Sequence, residues 1–131
     1  MSAAAHPISI LVIDDDPTSL ALAVEVLELD GYAVRTATTA ERGLELAARE
    51  RPAVVLMDLH FPVGMNGLDA TRRLKADPLT AGIPVVALTA LAQRQAEPAT
   101  RDARFDAYLT KPLDVPTLHE TVRRFVSAAP G

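Results

Sequence analysis

The sequence contains no cysteine. That excludes disulfides, thiolate metal sites and cysteine nucleophiles, and it suits a reducing compartment such as the cytoplasm. Tryptophan is also absent, and only 3 Phe and 2 Tyr are present. Apolar runs such as Ile8–Ile13 are far too short to span a bilayer. Positive charge is not in excess. The net charge of −4 makes the chain a poor candidate for holding nucleic acid by neutralising phosphates. Met1–Pro7 is a stretch of mostly small residues with no basic flank, so it reads as a frayed end and not as a signal peptide. There is no internal repeat and no low-complexity linker.

What is present is the composition of one soluble globular domain. The chain has 131 residues, 49% of them hydrophobic and 23% charged, enough to bury a single core. Short β-rich runs alternate with helical patterns. Ile8–Ile13 reads as a strand. Asp16 is placed to cap a helix with Pro17 in its first turn, and Leu20, Val24 and Leu27 follow at helical spacing until Asp30-Gly31. A short strand is expected over Tyr32–Thr36. Thr38 or Thr39 can then cap a helix with Ala40, Leu44, Ala47 and Ala48 on one face. Ala53–Met57 is a continuous apolar strand running into Asp58. A loop with Pro62, Gly64 and Gly67 leads to a helix over Leu68–Ala76, stopped at Asp77-Pro78. Ile83–Leu88 and Ala107–Leu109 read as the last two strands. A final helix begins near Val115, with Val115, Leu118, Val122 and Phe125 on its apolar face. Strands apolar on both faces and separated by helices predict an α/β fold, a five-stranded parallel sheet that is doubly wound. The domain is expected over residues 8–127, with frayed ends at 1–7 and 128–131.

In such a sheet, ligands bind beyond the carboxyl ends of the strands. The residues past each strand here are Asp14-Asp15-Asp16, Asp58, Thr89-Ala90 and Thr110-Lys111-Pro112. Carboxylates, a hydroxyl and an ammonium therefore meet at one rim. Clustered carboxylates repel one another unless a cation joins them. A hard, oxygen-seeking divalent ion such as Mg²⁺ resolves that conflict and commonly shares its site with phosphate oxygens. A carboxylate beside it can attack phosphorus.

Five segments, in this order and spacing, carry a resemblance over nearly the whole length. They are Leu11–Pro17; Val55–Asp58; Pro62 with Gly67-Leu68; Val85–Ala90; and Tyr108–Pro112. The chain resembles the receiver domains of two-component response regulators. The resemblance implies the flavodoxin-like strand order 2-1-3-4-5, with Asp58 as phosphoacceptor and Mg²⁺ as the ion. Asp15 would bind the ion directly, Asp14 mostly through water, and His60 through its backbone carbonyl. Thr89 and Lys111 would sense the phosphate, and Tyr108 matches the aromatic switch residue. The family often has a cis bond before the proline matching Pro112. The implied donor is a sensor histidine kinase or a histidine phosphotransfer protein, and the implied output is an unnamed downstream protein. Such a cytoplasmic receiver catalyses only its own phosphorylation and dephosphorylation, and it meets neither nucleic acid nor membrane.

Other readings compete. Taken singly, Thr89 is a common strand-end residue, Lys111 a surface lysine, Tyr108 a core aromatic and Asp14–Asp16 a solvated helix start; their joint placement singles them out. Asp14-x-Asp16 also resembles the first motif of haloacid-dehalogenase-type phosphatases, with Asp14 as nucleophile and Asp16 as acid/base. That reading leaves Asp58 and Tyr108 unexplained. A module that keeps the fold without taking phosphate is the second alternative. A flavin carrier fits poorly with so few aromatics. His6, His60 and His119 have no partners at ligand spacing. Three departures from the family pattern stand out. The loop from Asp58 to Gly67 is one residue longer, at Val63-Gly64. Arg104 replaces a usual glycine, so strain is expected there. The region from Leu91 to Arg104 lacks large apolar residues at helical spacing and is interrupted by Pro98, so a short or mobile fourth helix is expected. The chain ends soon after the final helix, which fits either a stand-alone receiver or a piece of a larger regulator or hybrid kinase.

Overall fold

β-Branched and leucine-rich runs form strands, and those numbered one to three in chain order are each followed by a helix that opens with a capping residue. In chain order the elements are β1 (Ser9–Ile13), α1 (Pro17–Leu29), β2 (Ala33–Ala37), α2 (Ala40–Glu50), β3 (Val54–Asp58), α3 (Gly67–Ala76), β4 (Val85–Ala90), β5 (Ala107–Lys111) and α4 (Val115–Ala128). This computed structural model describes residues 7–90 and 103–128. Most of both expected frayed ends, and the expected short helix near Pro98, lie outside the described residues. All strand pairs are parallel, in the order β2-β1-β3-β4-β5, as the resemblance implied.

Alternate residues of each central strand serve opposite faces of the sheet. Ile10, Val12, Val54, Leu56, Val86 and Leu88 pack with α1 and α4, while Leu11, Ile13, Val55, Met57 and Val85 pack with α2 and α3. The edge strands β2 and β5 depart from two-faced burial, and in β5 only Leu109 is fully buried. β2 is the more exposed, and of its residues only Ala37 is fully buried.

The caps follow the sequence. Asp16 accepts from the Thr18 amide at 3.2 Å and the Ser19 hydroxyl at 2.8 Å, with Pro17 in the first turn. Asp30 ends α1, and Gly31 follows at φ 93°, a turn that a side chain would strain. Thr39, not Thr38, caps α2, and Asn66 caps α3. Arg104 has φ 68°, the left-handed backbone expected where a glycine usually stands.

Two helix faces differ from expectation. In α1 the fully buried positions are Ser19, Ala23, Val26 and Leu27, whereas Leu20 and Val24 help line an outer groove with Pro17 and Ala21. In α2 they are Ala40, Gly43, Leu46 and Ala47; Leu44 is half-buried and Ala48 exposed. The reason is close packing on the sheet. A Cβ at Gly43 would come within 2.3 Å of Ile13 Cδ1, so small residues sit where larger ones do not fit. In α4, Leu118 and Val122 are buried, but Val115 is 46% exposed at the first turn.

One polar knot fastens the β4–β5 edge. Asp106 Oδ2 accepts from the Val85 amide at 2.7 Å and from Lys75 Nζ at 2.9 Å, and Lys75 also donates to the Ile83 carbonyl at 2.9 Å. Asp106→Ala leaves the Val85 amide and a largely buried ammonium without their carboxylate. We expect a loss of about 2 kcal/mol, read as a lower urea midpoint with unchanged slope.

Candidate functional site

Register alone assembles the rim. Ile13 pairs with Met57, so the next residues, Asp14 and Asp58, lie side by side. Asp58 pairs with Leu88, which places Thr89 one step beyond. Ala90 pairs with Lys111, which brings the ammonium to the same end. Asp14 is fully buried, Asp58 7% exposed and Thr89 1% exposed, while Asp15 and His60 are exposed.

Lys111 Nζ lies 2.9 Å from Asp14 Oδ2 and 3.5 Å from Asp58 Oδ2. Asp14 Oδ1 accepts from the Asp16 amide at 2.9 Å. Asp58 Oδ1 receives a long bond, 3.5 Å, from the His60 amide. The Thr89 hydroxyl donates to the Ala90 carbonyl at 3.1 Å. The Lys111–Pro112 bond is cis. Tyr108 is half-buried on β5, its ring tilted at 54° against Phe105 with centroids 5.8 Å apart.

The electrostatics set two buried carboxylates, Asp14 and Asp58, against each other. Burial, and then the neighbouring Asp14 charge, push the Asp58 pKa from 3.8 up to about 7, against the pull of Lys111. Burial alone would lower the Lys111 pKa, but the surrounding carboxylates outweigh it and the pKa is raised.

Carboxylate oxygens of Asp14, Asp15 and Asp58 all lie within 4.8 Å of one another, the metal-capable grouping found among the described residues. Asp14 Oδ2 is buried without a well-directed hydrogen bond; its close neighbour is the Lys111 ammonium. Three carboxylates around one ammonium leave a surplus of negative charge. Oxygen donors of this kind suit Mg²⁺. Neither His60 nor His119 belongs to the grouping. His119 instead faces Asp30 across 2.6 Å, tying α4 to the end of α1.

Asp16 is turned to another task. Its bonds to Ser19 and Thr18 lower its pKa, the wrong direction for an acid/base at neutral pH. Its place as the cap of α1 counts against the acid/base role that the phosphatase alternative gives it.

The lengthened loop after β3 brings a residue that sequence reading passed over. Glu41, in the first turn of α2, accepts from the Met65 amide at 2.8 Å. The only hint in the sequence was the extra residue at Val63-Gly64.

Comparison with known proteins agrees with this geometry. The family model described as "Response regulator receiver domain" matches residues 10–123. The polar-differentiation response regulator DivK of Brucella anthropi is 32% identical over 123 residues, covering 94% of this chain and 99% of that protein. Protein PilH of Pseudomonas aeruginosa is 40% identical over 113 residues, covering 86% of this chain and 93% of that protein. Among solved structures, the receiver domain of the Pseudomonas aeruginosa sensor histidine kinase PA1611 superposes with a TM-score of 0.85 at 28% identity, covering 94% of this chain and 100% of that one. That structure has a magnesium ion coordinated in its active-site cleft.

Proposed function

The chain belongs to the response regulator receiver domain family of two-component signalling, and from that premise we propose that it is a Mg²⁺-dependent phosphoacceptor switched at Asp58. The observation that carries the reading is the single rim holding Asp14, Asp15 and Asp58 with the Lys111 ammonium.

An Asp58 oxygen attacks phosphorus, the P–N bond of a phosphohistidine donor breaks, and an aspartyl phosphate forms. No general base is needed, because the carboxylate is already the nucleophile. Asp15, Asp58 and the His60 carbonyl, with Asp14 mostly through water, would hold Mg²⁺, which would supply neutralising positive charge at the site. Lys111, now paired with Asp14 and Asp58, passes to the phosphoryl group, and the Thr89 hydroxyl turns from the Ala90 carbonyl to the same group. A hydrogen bond to a charged group contributes roughly 1.5–3 kcal/mol, whereas a complete two-state switch takes about 5.5 kcal/mol. Thr89 and Lys111 therefore act together, and Tyr108 turning inward is the readout. The donor is a sensor histidine kinase or a histidine phosphotransfer protein in the cytoplasm, and the output is a downstream protein. The chain catalyses only its own phosphorylation and dephosphorylation. Among the described residues, no helix is long and apolar enough to cross a membrane.

Intact mass after incubation with Mg²⁺ and acetyl phosphate tests this reading. Wild type is expected to gain one phosphoryl group and Asp58→Asn none. A gain that survives in Asp58→Asn and vanishes in Asp14→Asn would instead establish the phosphatase-type nucleophile.

A further inference from the structure

The loop of residues 59–66 joins β3 to α3, and two observations show how it is held. The Glu41 carboxylate accepts the Met65 amide at 2.8 Å, across 24 positions of sequence. Beside it, Gly64 adopts φ 83° and lies so close that a Cβ there would sit 2.5 Å from Glu41 Oε2. Hydrogen bond and glycine match one another. At that φ, and this close to the Glu41 carboxylate, glycine is the residue that fits with the least adjustment.

The loop is also tied near its base, where the His60 amide donates a long bond, 3.5 Å, to Asp58 Oδ1. Leu59 donates to the Leu88 carbonyl at 3.3 Å, and Gly67 donates to the Leu59 carbonyl at 3.0 Å. Residues 60–63 span the distance between the base and the Glu41 contact. His60, whose carbonyl the receiver reading assigns to the metal, is in that span.

We propose that Glu41 is a positioning residue for the cation: it latches Gly64-Met65 onto α2 and so fixes the arch that presents the His60 carbonyl. This inference rests on the receiver reading for the identity of the ion. The Arg73 charge also favours the ionised form of Glu41, after the Met65 bond itself, so the latch is closed at neutral pH. Phe61 and Met65 both pack against the α2–α3 side of the core, which gives the held arch a floor.

The test is a Mg²⁺ titration of ¹⁵N-labelled wild type, Glu41→Ala, Glu41→Gln and Asp58→Asn, followed by amide shifts. Half-saturation is expected to rise about tenfold in Glu41→Ala, the scale of one lost charge-assisted hydrogen bond. Glu41→Gln keeps an acceptor oxygen of the same reach, so a rise of only about threefold is expected there. Both variants remove the same charge, so equal rises would mean a field effect and overturn the latch. Phosphate uptake at saturating Mg²⁺ is expected to change by less than about twofold. Exchange of the Met65 amide should quicken in Glu41→Ala. Faster exchange with unchanged half-saturation would also overturn the proposal, leaving Glu41 a packing contact. Wild type that binds Mg²⁺ but accepts no phosphate would refute the acceptor reading, while half-saturation still decides the latch. Wild type that binds no Mg²⁺ would refute both.

Discussion

Asp58→Asn is expected to raise the melting temperature of the metal-free protein at about pH 8 by about 6 °C, while leaving it nearly unchanged at about pH 4. The Asp58 pKa rises from 3.8 to about 7 on folding, chiefly through burial and then through Asp14. A carboxyl with a raised pKa holds its proton more tightly in the folded chain. Its contribution is therefore fully present below the unfolded value near 3.8 and is lost as pH climbs through about 7. Above that range the folded chain carries a poorly solvated charge beside Asp14. Taken at full weight the shift corresponds to about 4 kcal/mol; relaxation at the open rim should leave about 2 kcal/mol. Asparagine keeps the shape and omits the charge. The attraction of Lys111 is already set against the rise, so losing that ion pair does not cancel the gain. Mg²⁺ should reverse the ranking, raising the wild-type midpoint at about pH 8 far more than that of the variant. Melting curves at the two pH values, with and without Mg²⁺, check each part. A variant no more stable than wild type at the higher pH would mean that Asp58 is not strained by its neighbours.

Gly67→Ala is the most damaging small substitution the fold offers. Gly67 opens α3, where alanine is ordinarily the better residue by up to about 1 kcal/mol. Here a Cβ would lie 2.0 Å from the Asp58 carbonyl oxygen and 2.9 Å from the Leu59 Cα. Those atoms are backbone at the end of β3, so no rotamer change relieves the clash. Either α3 retreats or the acceptor carboxylate shifts. We expect a loss of at least about 3 kcal/mol, together with slower phosphate uptake in whatever remains folded. Gly82→Ala is the control, because nothing lies within 4 Å of its would-be Cβ; it should be neutral or stabilising by up to about 1 kcal/mol. Urea unfolding of the two variants side by side decides the matter. Equal midpoints would refute the contact.

The central strands were legible because they are buried on both faces, and burial on both faces writes a continuous apolar run. Asp14, Asp58 and Thr89 were legible for the same reason, each standing at or just past the end of such a run, whereas Lys111 closes the half-buried edge strand β5. The helix faces were harder. α1 carries apolar residues nearly all round, so spacing alone did not separate Ala23 and Val26, which are fully buried, from Leu20 and Val24, which are only half-buried and line an outer groove. Close approach favours small side chains, and a hydrophobic pattern gives them little weight. Gly43 under α2 repeats the lesson. Strand β2 was placed one residue early because Tyr32 looks β-like, yet its amide closes the turn after α1 by donating to the Leu27 carbonyl. The Glu41–Met65 contact joins positions far apart in the chain, and no periodicity records it.

The sheet has an open side at β2, where the backbone could accept a strand from another chain. β2 is, with β5, one of the two edges of the sheet. The strand is only 5 residues long, and it carries Arg35, which is exposed and held by Glu50 at 3.0 Å. A short edge bearing a fixed charge is a poor template for cross-β addition. A salt bridge of little thermodynamic weight thus bears on colloidal behaviour, by disfavouring edge-to-edge pairing at β2.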